Sequence, residues 1–136
     1  MRSVLRALVV VQLLAPLYAS AADEKVLVQL NSIESADNRC RLNFVIENKS
    51  NAPIESLKLD LVAFGTDGGI LRRLITEMGP VRPAKTMVRA FAVDADCRQL
   101  GSILVNDVTA CAPGEPGACL DGLSLSSRIE ALRLYK

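Results

Sequence analysis

One run of the chain, Arg39 to Val93, alternates apolar and polar residues, turns, and alternates again. Cys40, Leu42, Phe44 and Ile46 fall on one face of an extended segment, with Arg41, Asn43 and Glu47 on the other. Successive side chains of a strand point to opposite faces, so this period of two predicts a half-buried strand with its apolar face inward. The next segment repeats the pattern, with Leu57, Leu59, Leu61 and Ala63 inward and Lys58 and Asp60 outward. Between them, Asn48-Lys49-Ser50-Asn51-Ala52-Pro53 is rich in turn formers, and Pro53 has no N–H to give a ladder. Gly65-Thr66-Asp67-Gly68-Gly69 supplies residues that tolerate the positive φ of a tight hairpin. Short segments between such turn signals build sandwiches or barrels rather than helix bundles.

The segment Ile70 to Met78 is less regular. Arg72 and Arg73 interrupt both of its faces, which predicts an edge strand. After Gly79-Pro80-Val81-Arg82-Pro83, the segment Thr86 to Val93 carries Val88, Ala90 and Ala92 on one face and Met87, Phe91 and Val93 on the other. Apolar residues on both faces predict a central strand or a bulge. Upstream, Glu24 to Ile33 alternates with Val26, Val28 and Leu30 toward the core, and Ser35-Ala36-Asp37-Asn38 turns into the Cys40 strand. Downstream come a polar connection, Asp94 to Gln99, a strand at Ile103 to Val108, and a Pro- and Gly-containing loop from Ala110 to Gly122. The tail, Leu123 to Lys136, has two readings. Ser127 and Glu130 have capping-box spacing, whereas Leu132 and Leu134 alternate with Ala131, Arg133 and Tyr135. A strand is favoured because it would cover the core. The expected fold class is an all-β, antiparallel, disulfide-stabilised sandwich of about seven strands.

The middle of the chain resembles the small bacterial envelope domains of FxLYD type. The residues that carry the likeness are Val45, Glu47, Asn48 and Ser50 at a strand end, Phe64 near the end of an apolar strand, Asp67-Gly68 in a hairpin, and Pro83-Ala84 before the next strand. The resemblance covers residues 40–93 and implies an immunoglobulin-like sandwich with no catalytic residues to transfer. The chain departs from the pattern where Ala63-Phe64-Gly65 stands in place of the LYD triplet, and in having four cysteines.

Residues 1–21 read as a secretory leader. Arg2 and Arg6 give a basic start, Ala7 to Leu14 an apolar centre, and Ala19-Ser20-Ala21 an A-x-A cleavage site. The apolar run falls short of the ~18 residues that a membrane span needs. No twin-arginine pair and no lipid-acceptor cysteine accompany it, so the expected route is Sec-type export of residues 22–136 as one domain, periplasmic or secreted, with no transmembrane span. Removing Arg2 and Arg6 takes the net charge from +1 to −1. Nucleic-acid binding needs a basic surface, so it is not expected.

An even number of cysteines in an exported chain reads as a disulfide framework. Cys40, Cys97, Cys111 and Cys119 allow three pairings. The favoured one joins Cys40 to Cys97 and Cys111 to Cys119, the latter closing a loop bent by Pro and Gly. The longer bridge would stabilise the fold by ~3–4 kcal/mol through the entropy of the unfolded chain. No C-x-x-C is present to lower a thiol pKa or hold zinc, and there is no histidine. This removes the commonest general base and the His-dependent nucleophile pairs, so neither a catalytic site, a cofactor nor a metal is expected. A carboxylate-based enzyme or inhibitor would have to use Asp94 with Asp96, or Asp60 with Asp67. Solvated turns account for those pairs more simply.

Arg72, Arg73, Arg82, Lys85 and Arg89 make a basic stretch, several members of which would lie on one side of the sheet if the hairpin pairs as expected, and Glu115 tips the stapled loop. Edge decoration is the plain reading. The functional one is a contact face for an envelope protein. The expected function is a non-enzymatic envelope binding or accessory protein, acting through the edge at Ile70–Met78 or through the stapled loop. The alternative is a structural subunit of an envelope complex.

Overall fold

The computed structural model describes residues 25–136, so the leader expected at residues 1–21 lies outside the described part. In chain order the elements are β1 (Val26–Ala36), β2 (Arg39–Asn48), β3 (Ser56–Gly65), β4 (Ile70–Glu77), β5 (Thr86–Val93), β6 (Leu100–Ala112), α1 (Pro116–Asp121), β7 (Leu123–Ser127) and β8 (Arg133–Tyr135). They form an all-β sandwich of two four-stranded sheets, ordered β5-β2-β1-β7 and β4-β3-β6-β8. A one-turn 3-10 helix at Cys97–Gln99 joins β5 to β6.

The alternation in the sequence becomes the core. Val28, Leu30, Leu42, Phe44 and Ile46 of the first sheet face Leu57, Leu59, Leu61, Ile103 and Val105 of the second, and all are buried. Each such side chain contributes about 1.5–3 kcal/mol on burial. The β1–β2 hairpin turns on Asp37 and Asn38, whose φ values of 48° and 59° are the left-handed pair that a two-residue hairpin loop requires. The β3–β4 hairpin closes where Gly69 N–H donates to the Asp67 carboxylate and Gly65 N–H donates to Gly69 O.

Three expectations change. Thr86–Val93 is neither central nor bulged: β5 is the outer strand of its sheet, paired to β2 without a register shift. Its core-facing side carries Met87, Phe91 and Val93, and the other side is solvent-facing despite its apolar residues. The stretch 110–122 is only partly a loop. β6 continues to Ala112, and Pro116 starts a short helix that turns Cys119 back onto Cys111. Pro at the first helical position loses no hydrogen bond, because that N–H has no intrahelical partner. Finally, the tail provides two strands rather than one, which raises the total to eight. β7 adds parallel to β1, and β8 adds parallel to β6 in the opposite sheet. Between them Ser127 Oγ accepts from Ile129 N–H, turning the chain so that Leu132 and Leu134 enter the core. The capping-box-like spacing there therefore serves a turn and not a helix.

The crossing from β4 to β5 is held by one buried side chain. Asn48 Nδ2 donates to Ala52 O at 2.8 Å and to Val81 O and Arg82 O, both at 3.2 Å. Its Oδ1 accepts from the N–H and the hydroxyl of Ser50. Truncation would leave several of these groups unpaired away from water. Asn48→Ala should therefore lower unfolding free energy by about 2–3 kcal/mol in urea titration monitored by circular dichroism. Ser50→Ala, which leaves the Asn48 amide donors in place, should cost less.

Candidate functional site

β4 and β5 are the outer strands on the same long side of the sandwich, one from each sheet, and they come into contact there. The basic residues singled out in the sequence all belong to this side, but they do not form one cluster. Arg72 lies opposite core-facing Ala63 and Arg73 opposite Val62, so the two point to opposite faces of β4. Arg82 and Lys85 lie in the crossing near the end of β2, where Asn48 N–H donates to Lys85 O. Arg89 sits midway along β5 and reaches back to Gly79 O and Pro80 O at 3.4 and 3.5 Å.

Two of the arginines are occupied by acids. Arg73 grips Asp60 with both arms, Nε to Oδ1 at 2.8 Å and Nη2 to Oδ2 at 2.6 Å, and Asn106 Nδ2 adds a bond to Oδ2 at 2.7 Å. Asp60 does face away from the core, as its place in the alternation requires, but it is only 1% exposed. Its partner Arg73 remains 65% exposed along its side chain. Arg73 lowers the Asp60 pKa most, with Asn106 helping and burial opposing. Arg72 makes a looser, exposed pair with Asp94 at 3.6 Å.

The candidate carboxylates are each engaged separately. Asp96 caps the 3-10 helix and pairs with Arg98, which holds its pKa at about 2. Asp94 answers Arg72, Asp60 answers Arg73, and Asp67 builds the hairpin. At Glu77, burial pushes the carboxyl up. The N–H groups of Leu57 and Gly79 and the Ser56 hydroxyl outweigh it and hold the pKa below its usual value. Among the described residues no three His, Cys, Asp or Glu side chains gather as metal ligands would.

Cys40 is bonded to Cys97 and Cys111 to Cys119. Glu115, at the start of α1, lies away from the β4 arginines. It borders a cleft of about 290 Å³ with Pro53, Ile54, Ala118 and Leu123 at the stapled end.

The feature that residue-by-residue reading missed is the bare edge of β5. Asn48 N–H donates to Lys85 O, and the register continues unbroken through Phe44↔Arg89 to Cys40↔Val93. In an antiparallel ladder, alternate residues bond to the neighbour and the others point away. Thr86, Val88, Ala90 and Ala92 therefore aim both backbone groups at solvent, and their side chains are exposed, Val88 by 62%. The other three edges are blunted. β4 carries Arg72, Arg73 and a register shift near its start, while β7 and β8 are short. The signal was present as an apolar segment with a single charge, Arg89, whose side chain is turned to the inner side.

These observations define the class: a disulfide-bonded, two-sheet, eight-stranded β-sandwich, bridged at both ends and without a long apolar helix among its described residues, as suits an extracytoplasmic protein. Its fold is similar to that of IrmA from Escherichia coli, with a TM-score of 0.58 at 11% sequence identity, over 74% of this chain and 89% of that one. No protein-family model and no curated protein matches the chain. The FxLYD resemblance of residues 40–93 thus has no family match behind it, while the sandwich it implied is the architecture observed.

The Asp60 cluster makes a pH prediction. Its folded pKa lies below the value of about 3.9 for an unfolded aspartate. Its stabilisation is therefore complete above that value and is lost as pH falls through the folded one. Asp60→Asn should cost about 1–2 kcal/mol at pH 7. The gap to the parent should begin to narrow below about pH 4 in unfolding titrations run across pH.

Proposed function

We propose that this protein is a non-enzymatic binding or accessory module of the periplasm or the extracellular space, which makes protein–protein contacts by accepting an extended strand on the edge of β5. The observation that carries this reading is the unguarded edge itself. β5 is eight residues long, has no register shift, and exposes a neutral row of Thr86, Val88, Ala90 and Ala92 beside unpaired backbone groups. Such an edge is a template for strand addition, and proteins ordinarily blunt it with charge, proline or a bulge. Main-chain bonds supply the affinity in that mode of recognition, and pockets for alternate side chains supply the selectivity. The strand at Ile70–Met78, the edge first expected to bind, is the less suitable of the two because Arg72 and Arg73 interrupt it.

The partner on this reading is another extracytoplasmic polypeptide with an extended segment. Mild crosslinking in an envelope extract, followed by affinity capture and mass spectrometry, tests the reading. A specific crosslinked species should be recovered with the parent and lost with Val88→Lys, which puts a charge on the edge without touching the core. Arg72→Glu should leave it in place. Capture that survives Val88→Lys but fails with Arg72→Glu would move the contact to β4 and overturn the assignment to β5.

A further inference from the structure

We infer that the strand accepted by β5 is the β5 of a second copy of this chain, paired antiparallel about a two-fold axis at Ala90. This rests on the strand-addition reading above and names its occupant.

The register follows from which backbone groups are free. Only Thr86, Val88, Ala90 and Ala92 direct N–H and C=O outward, so the hydrogen-bonded pairs of a joint must be drawn from them. An axis at Val88 or at Phe91 overlaps only part of the strand. An axis at Arg89 overlaps most of it but sets Arg89 directly against its own copy in the closely spaced type of pair, where like charges oppose association. The axis at Ala90 also overlaps most of the strand. It matches Ala90 with itself, Val88 with the second copy's Ala92, and Met87 with the second copy's Val93. Arg89 then stands opposite the second copy's Phe91 and not opposite its own copy, which removes the like-charge pair. Phe91 itself packs near Phe44 within each copy, with ring centroids 6.1 Å apart, and so stays in place on the inner side.

Charge also permits a second copy. The β4 edges would flank the joint, where Arg73 is paired with Asp60 and Arg72 stands beside Asp94 at 3.6 Å, so each arginine has an acid of its own chain nearby. The formal net charge of the whole chain is only +1, so no strong long-range repulsion separates two copies. A foreign strand would need its own complement to the row of small neutral side chains. The row already complements itself, and the product is one continuous sheet running through both copies.

Sedimentation equilibrium of the purified, disulfide-bonded protein tests this. The parent should show a concentration-dependent monomer–dimer equilibrium. Ala90→Lys and Ala90→Glu, both at an exposed position, should each raise the dimer dissociation constant about tenfold or more by setting like charges across the axis. Both variants should keep the parent's circular dichroism spectrum. An equimolar mixture of the two should restore dimer, because Lys then faces Glu. A parent that stays monomeric overturns the inference, as does a dimer indifferent to the single variants or a mixture that fails to restore it. If the parent is monomeric while a different protein is captured in a Val88-dependent way, the strand-addition reading stands with another occupant. If neither association is seen, both fall.

Discussion

The buried amide of Asn48 is the constraint on which the side of the molecule bearing β4 and β5 depends. A chain that passes from one sheet of a sandwich to the other must satisfy its backbone groups without a ladder to receive them. Here a single carboxamide takes up carbonyls of Ala52, Val81 and Arg82, while its oxygen holds Ser50. The isolated bridge between Ile54 and Val81 completes the crossing. With that segment held, the chain passes from β4 in one sheet to β5 in the other along one side of the sandwich. The charged edge of β4 and the bare edge of β5 both lie on that side.

Electrostatics on this side works mainly within the chain. Arg73 is spent on Asp60 and Asn106, and Arg72 faces Asp94. A surface pair of charges contributes little to stability in water, but the Asp60 carboxylate is covered and would be costly without its partner. Arg89, the one charge in β5, lies on the inner side of its strand and reaches the crossing. Sequence proximity of five cations therefore does not make a basic patch. What remains accessible on β5 is backbone and small neutral side chains, a surface that recognises extended main chain better than it recognises anions.

The legible parts of this fold were those set by local rules. Alternation marked β2 and β3 because a period of two leaves no doubt about which face meets the core. Asp37-Asn38 and Asp67-Gly68 marked hairpins because few residues tolerate the required backbone. Less legible was Asp60, whose outward position was plain but whose partner is an arginine thirteen positions away across a strand pair. Likewise the Pro and Gly content around α1 predicts a loop, although Pro116 is an ordinary helix opener, because a six-residue helix has no room to show a period.

Chain chemistry alone pointed to a strand-rich, all-β chain and an even set of cysteines, because strand periodicity and turn chemistry act between near neighbours, whereas the pairing Cys40–Cys97 and Cys111–Cys119 came with the fold. Which strands became edges, which arginines found acids, and how the tail divided between two sheets were settled by folding. β5 shows the difference most plainly. Its residues are apolar on both faces, and the same pattern would suit a central strand. Only the sheet order β5-β2-β1-β7 leaves one side of it open, since no local preference records whether a neighbouring strand will arrive.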